Sequence, residues 1–192
     1  MRMQFQTTLA NLEAEMIELC NKDWEPLTFD PKNPFGGGKN WGRTSILPEL
    51  FDDWQGNQMS HWRQNITSTG QQTIISGTRS GNAIPEDFKI AWVGLAFPNK
   101  QQHITEIKFQ IGDRKFGRLN LEEMLAYNQP AVIFEDGFII DEEESFELYG
   151  YVEGPLATDL SGQVQGWTRV VMLGFAAYKR IDKVLGNCGA AI

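Results

Sequence analysis

Val170 to Tyr178 is a run of nine residues without a charge, set in the longest nearly uninterrupted apolar segment of the chain, Val164–Lys179. Val170, Val171, Phe175 and Tyr178 favour a strand, and a strand without polar alternation is one covered on both faces. The run is too short to cross a bilayer, which needs roughly 20 residues. A buried helix is the competing reading. Ala176 and Ala177 suit it, but Gly174 in mid-segment and the β-branched pair count against it.

The 192 residues suit one domain with one sizeable core and room for an appended arm. Six Trp and twelve Phe are many for this length; large aromatics fill β-sandwich interiors and also anchor interfaces. The net charge of −8 repels phosphate backbones, so direct nucleic-acid binding is not expected. Cys20 and Cys188 stand near opposite ends with no CxxC or Cys/His spacing, which excludes a structural zinc site. They read as two free thiols, with a disulfide between them as the alternative. Asn65-Ile66-Thr67 fits the glycosylation pattern, but so short a pattern arises often by chance.

The clearest helix spans roughly Thr8 to Asn21. Leu9, Leu12, Met16 and Leu19 fall at i, i+3, i+7 and i+10, one face of a helix, with Glu13, Glu15 and Glu18 elsewhere. Thr7 or Thr8 can cap its start. That face packs either on its own domain or against another subunit. From Asp30 through Arg43 the residues are turn chemistry, punctuated by Phe29, Phe35 and Trp41. A long irregular loop of this kind is an arm over a neighbour or a lid on the edge of the fold. Ser45 then caps a short helix with Pro48 in its first turn and Leu47, Leu50, Phe51 and Trp54 as its apolar face.

From Ser60 the pattern is β, with segments at Trp62–Ile66, Gln72–Ser76, Phe88–Phe97, His103–Ile111, Lys115–Leu119, Ala131–Glu135, Phe138–Ile140 and Ser145–Val152. Thr78 to Asn82 has hairpin-turn chemistry. Ile104 falls out of phase with Ile107, Phe109 and Ile111 across Thr105-Glu106, which predicts a bulge. Asn120 caps a single short helix, Leu121 to Tyr127, with Glu122 and Glu123 where its dipole favours them. About eight short strands without long intervening helices fit two antiparallel sheets packed face to face. The fold class is therefore mainly β: an antiparallel β-sandwich, jelly-roll-like, with an N-terminal amphipathic helix and short connecting helices. Its divisions are an arm of helix and aromatic Gly/Pro-rich loop over 1–59, the sandwich over 60–183, and an uncharged tail over 184–192.

Catalytic chemistry finds little purchase. His61 and His103 form no His-x-His pair, so a histidine metal centre of the kind small β-barrels build is not expected. Glu135, Asp136 and Asp141–Glu144 are the densest acidic region, but they lack the alternating spacing that points oxygens at calcium; they read as a solvated loop guarding a sheet edge. Nothing around them predicts the raised pKa that a glycosidase acid needs. Gly36-Gly-Gly-Lys39 is no phosphate loop, because Asn33 and Asn40 stand where Gly and Ser or Thr are required. Ser76-Gly77 and Ser80-Gly81 lack the context of a nucleophile elbow. Lys39 and Arg43 beside Trp41 could stack a base or a sugar.

The expectation is a non-enzymatic, self-assembling structural protein: a viral capsid subunit or a capsid-associated cement, turret or spike subunit. A carbohydrate- or ligand-binding sandwich module is the alternative, and it predicts that Trp41, Trp54 or Trp62 lines an exposed groove. No catalytic, cofactor or metal residue is assigned. The candidate subunit interface is Leu9, Leu12, Met16, Leu19, Phe29, Phe35, Trp41, Leu185 and Ile192. The expected partners are copies of the chain and other shell proteins, without nucleic acid and without a transmembrane segment. Genome neutralisation would then fall to another component, since no Arg/Lys-rich arm is present. Met1 to Thr8 offers no apolar signal-peptide core, so the expected location is the virion, or the cytoplasm if the chain is not viral.

Overall fold

A computed structural model describes residues 2–24, 41–98 and 103–179. In chain order these form α1 (Arg2–Asp23), β1 (Trp41–Ser45), β2 (Phe51–Asp52), β3 (Arg63–Asn65), β4 (Gly70–Gly77), β5 (Phe88–Ala96) and β6 (Ile104–Ile111). There follow β7 (Arg114–Lys115), β8 (Leu119–Asn120), α2 (Leu121–Ala126), β9 (Ala131–Ile140), β10 (Phe146–Val152), β11 (Trp167–Arg169) and β12 (Val171–Lys179). All the pairings are antiparallel. One sheet runs β1-β12-β5-β9 and the other β2-β4-β10-β6-β7, with β8 beside β6 and a small ribbon of β11 and β3. This is a sandwich-like antiparallel architecture.

The apolar segment Val170–Tyr178 is strand β12, and its missing alternation has the expected cause. Met172 and Ala176 face the core between the sheets, while Phe175 and Ala177 face the other way, beneath α1. Strand β5 repeats the pattern: Ile90, Trp92 and Leu95 point inward, and Ala91 and Val93 lie under the helix. Helix α1 is thus a third layer, packed on β9, β5 and β12. Small residues at Ala91 and Ala177 let it approach the sheet closely.

Trp92 is the hub of the inner core. Its ring meets Phe109, Phe134 and Phe146 edge to face at 4.7, 4.8 and 5.3 Å, and its indole N–H donates to the Gly94 carbonyl at 2.7 Å. Such geometry places ring edges on ring faces, as the aromatic quadrupole prefers. Among the described residues, the Phe and Trp are buried or half-buried, Trp167 apart. Two bulges shape the sheets around this hub. Thr105 is the unpaired residue where Ile104 faces Val152 and Glu106 faces Tyr151, at the predicted irregularity. In β9, Ile133 pairs with Gly94 and Phe138 with Trp92, so residues 134–137 bulge out of the ladder. The Thr8 hydroxyl donates to the Phe134 and Glu135 carbonyls there, at 3.1 and 2.9 Å.

Several expectations are corrected. Helix α1 starts at Arg2, so Thr8 is no cap but a buried mid-helix residue. The buried stripe runs Thr8, Leu12, Met16, Cys20 and on to Trp24, in steps of four, whereas Leu9 and Leu19 are only half-buried. Trp41 does not belong to the loop: it opens β1, which pairs with β12, so the sheet begins at Trp41 rather than at Ser60. After β1 there is only a 3-10 turn, Pro48–Leu50, with Leu47 at its start and no side-chain cap from Ser45. The turn at Thr78–Asn82 closes on itself through Arg79 and Ala83, but the strands it joins, β4 and β5, lie in different sheets. The two segments predicted over 131–140 are one strand interrupted by its bulge. Helix α2 is as expected, with the Asn120 side chain accepting from the Glu123 N–H at 3.1 Å.

Candidate functional site

The sheet that α1 leaves free presents a groove of about 340 Å³ on its outer face. Alternation along β10 sends Phe146, Leu148, Gly150 and Val152 inward, which leaves Glu147, Tyr149 and Tyr151 outside. Cross-strand register then sets Lys108 beside Tyr149, and both Glu106 and Gln71 beside Tyr151. The Lys108 ammonium donates to the Gln71 carbonyl oxygen at 3.4 Å, a bond that spans β10 between the two tyrosines. Arg118 closes one side through an ion pair with Glu106 at 3.1 Å. The groove continues into a second hollow of about 240 Å³ that shares Gln71, Lys108 and Tyr149 and adds Lys115 and Phe116. The Tyr149 hydroxyl donates to Glu147 at 2.6 Å; burial and this bond push the phenol up to about 12, so it is protonated at neutral pH.

A second polar cluster sits where α1 ends. The side chain of Lys89 is 1% exposed, and its ammonium reaches Asp23 at 2.9 Å, Asp141, and Glu142 at 3.6 Å. Glu142 also accepts from the Trp24 indole N–H at 3.3 Å, and the Lys89 nitrogen lies 5.4 Å from the Trp24 ring. Burial favours the neutral amine, but the hydrogen bonds to Asp141 and Asp23 and the nearby charges outweigh it, holding the group above the ordinary lysine value. An amine held as ammonium has no free electron pair. The cluster is accordingly a clamp between the helix end, β5 and the β9–β10 turn, not a nucleophile. Cys20 lies beside it, buried, its thiol pushed up to about 12 by burial against the opposing charge of Lys89. The sequence did carry a signal for this clamp, a lone lysine inside the unalternating run of β5. Asp141 and Glu142, read as part of a solvated loop, are its partners.

The remaining predicted residues fall as follows. Leu12 and Met16 are buried against the chain's own sheet, and Leu9 packs beside them half-buried. Trp41 is buried, its indole N–H donating to Asn21 at 3.2 Å. Phe29, Phe35, Leu185, Ile192 and Cys188 lie outside the described residues, as do the loop core and the tail. Trp62 tilts against Phe51 at 5.9 Å, whereas Trp54 lines a groove of about 260 Å³ with His61 and Arg63. His61 is exposed and joined to the neighbouring Ser60 hydroxyl at 2.8 Å. Among the described residues no group of His, Cys, Asp and Glu is placed to hold a metal, and no helix is long and apolar enough to cross a membrane.

Sequence reasoning missed a set of exposed apolar residues. Tyr127, Leu160 and Trp167 are 71%, 110% and 38% exposed, each in or beside a segment that joins one sheet to the other. Leu160 stands in a turn built around Asp159, whose carboxylate accepts from the Ser161 hydroxyl, the Gln163 N–H and the Ser161 N–H and is held below the usual carboxylate range. Arg63 lies over the Trp167 ring at 4.2 Å. In comparisons with known proteins, no family model, no curated protein and no solved structure matches the chain.

Proposed function

We propose that the chain is a non-enzymatic, self-assembling structural protein, a viral capsid subunit or a capsid-associated cement, turret or spike, and that its sandwich is a jelly roll. The observation that carries this reading is the nesting of the strand pairs. Taken in chain order, β1, β4, β5, β6, β7, β9, β10 and β12 pair first with last, second with seventh, third with sixth and fourth with fifth. That is the pattern made when one long antiparallel hairpin is rolled into two sheets, and this roll is a frequent building unit of shells. The exposed Tyr127, Leu160 and Trp167 add surface of the kind that contacts between subunits bury.

Light scattering on the purified full chain tests the proposal. A discrete assembly is expected. It should fall to a monomer that still unfolds cooperatively when Leu160→Asp and Trp167→Asp are combined or when residues 184–192 are removed. A full chain that stays monomeric at every concentration would sink the structural reading. Trimming residues 1–22 is a poor probe, because α1 covers its own sheet and its loss would unmask Ala91, Val93, Phe175 and Ala177.

A further inference from the structure

We propose that the outer-face groove between Tyr149 and Tyr151 binds an acidic saccharide, a sugar ring bearing a carboxylate. The two tyrosines stand two residues apart on one face of β10, about 7 Å along the strand, and both line the groove over Gly150. The Lys108–Gln71 bond that crosses there is long, at 3.4 Å, and a bound ligand would take Gln71's place as the partner of Lys108. Aromatic faces of this kind stack on the C–H face of a sugar. Around them stand Gln71, Glu106 and Arg118, planar side chains that meet vicinal hydroxyls with paired donors and acceptors.

Charge selects the acidic member of the class. Among the described residues Lys108 forms no ion pair; its contact is with the neutral Gln71 amide at 3.4 Å. Arg118 spends one nitrogen on Glu106 and keeps further donors. Lys115 extends the positive side into the adjoining hollow. Lys108, Arg118 and Lys115 stand against Glu106, which pairs with Arg118, and Glu147, which holds the Tyr149 hydroxyl, so the trough carries a small positive excess on a chain whose net charge is −8. A polyphosphate or nucleic acid would meet repulsion from that overall field, whereas a single carboxylate meets chiefly the local cations. An extended peptide is disfavoured because β10, beneath the trough, is paired on both flanks by β4 and β6 and offers no open edge for strand addition.

All the lining residues belong to one chain, so the site is complete in a monomer. The full chain is titrated by NMR or calorimetry with 3′-sialyllactose and with trigalacturonate, and with maltotriose as the neutral probe. Saturable binding of at least one acidic probe is expected, weakened at least tenfold by Tyr151→Ala and by Lys108→Gln, with the neutral probe at least tenfold weaker. Tyr151 is 51% exposed and Lys108 lies on the outer face, so both variants should keep the wild-type unfolding midpoint. No saturation by either acidic probe at about 10 mM, equal binding of maltotriose, or binding untouched by both substitutions would each overturn the proposal. So would a face that a second copy occupies, seen as self-association abolished by Tyr151→Ala with no saccharide binding in the dissociated protein.

Discussion

Lys89 is a charge placed where charge is costly, and its three carboxylates are what permit it. Replacing it by Met keeps the stem's packing and removes the charged hydrogen bonds. The carboxylates are partly exposed and rehydrate, so the expected loss is about 2 kcal/mol in urea unfolding. Alkaline pH attacks the same corner. Cys20 ionises from 9.0 upward when unfolded but only near about 12 when folded, so above pH 9 the folded state holds the extra proton and rising pH favours unfolding. Lys89 and Tyr149, both raised in the fold, act in the same direction. Stability should fall with pH above 9, by up to about 1.4 kcal/mol per unit from Cys20 alone, and Cys20→Ala should flatten that slope. A flat profile between pH 9 and 11 in the wild type would contradict the burial of the thiol. Gly174 is the other critical residue, at φ 145° and a register shift, where an added Cβ would stand 1.9 Å from the Ala91 carbonyl oxygen. Gly174→Ala should cost at least about 2 kcal/mol and lower the melting temperature by roughly 5 °C or more.

Between elements, the decisive contact is α1 on its sheet. Leu12→Ala should cost about 2–4 kcal/mol, as a buried leucine does, while Met3→Ala, 82% exposed, should cost almost nothing; comparing the two by thermal unfolding checks the helix register. That register was only partly legible. Periodicity found Leu12 and Met16, but it ranked Leu9 and Leu19 above Thr8 and Cys20, because apolar counting gives no weight to a hydroxyl that caps a bulge. The bulge itself sits on Gly137, at φ 70°, a backbone state that a hydropathy pattern does not encode. The double cover of β12 and β5 was legible, since burial on both faces removes alternation itself. Trp41 was misplaced because the turn residues before it carry no marker of where the chain becomes extended. The groove was invisible in sequence: Tyr149 and Tyr151 gain Lys108, Glu106 and Gln71 as neighbours only through register with β6 and β4.

At the scale of the molecule, the proposed assembly places two demands on one surface. If Leu160 and Trp167 are subunit contacts, protection of their segments from hydrogen exchange should appear on assembly, while the β10 groove should stay as exchangeable as in the monomer and open to saccharide. Protection of both would mean that neighbouring copies cover the groove. The nested pairing also has a consequence for synthesis. β1 finds its partner only when β12 exists, so the first sheet cannot close until residues 171–179 have left the ribosome. Until then β5 has no β12 on its flank, and the faces that α1 and the inner core will cover have no complete sheet to form on. High contact order of this kind slows folding and lengthens exposure to aggregation. A nascent chain stalled before Val171 should therefore be held by chaperones and cut readily by protease, and resistance should arrive in a single late step rather than strand by strand.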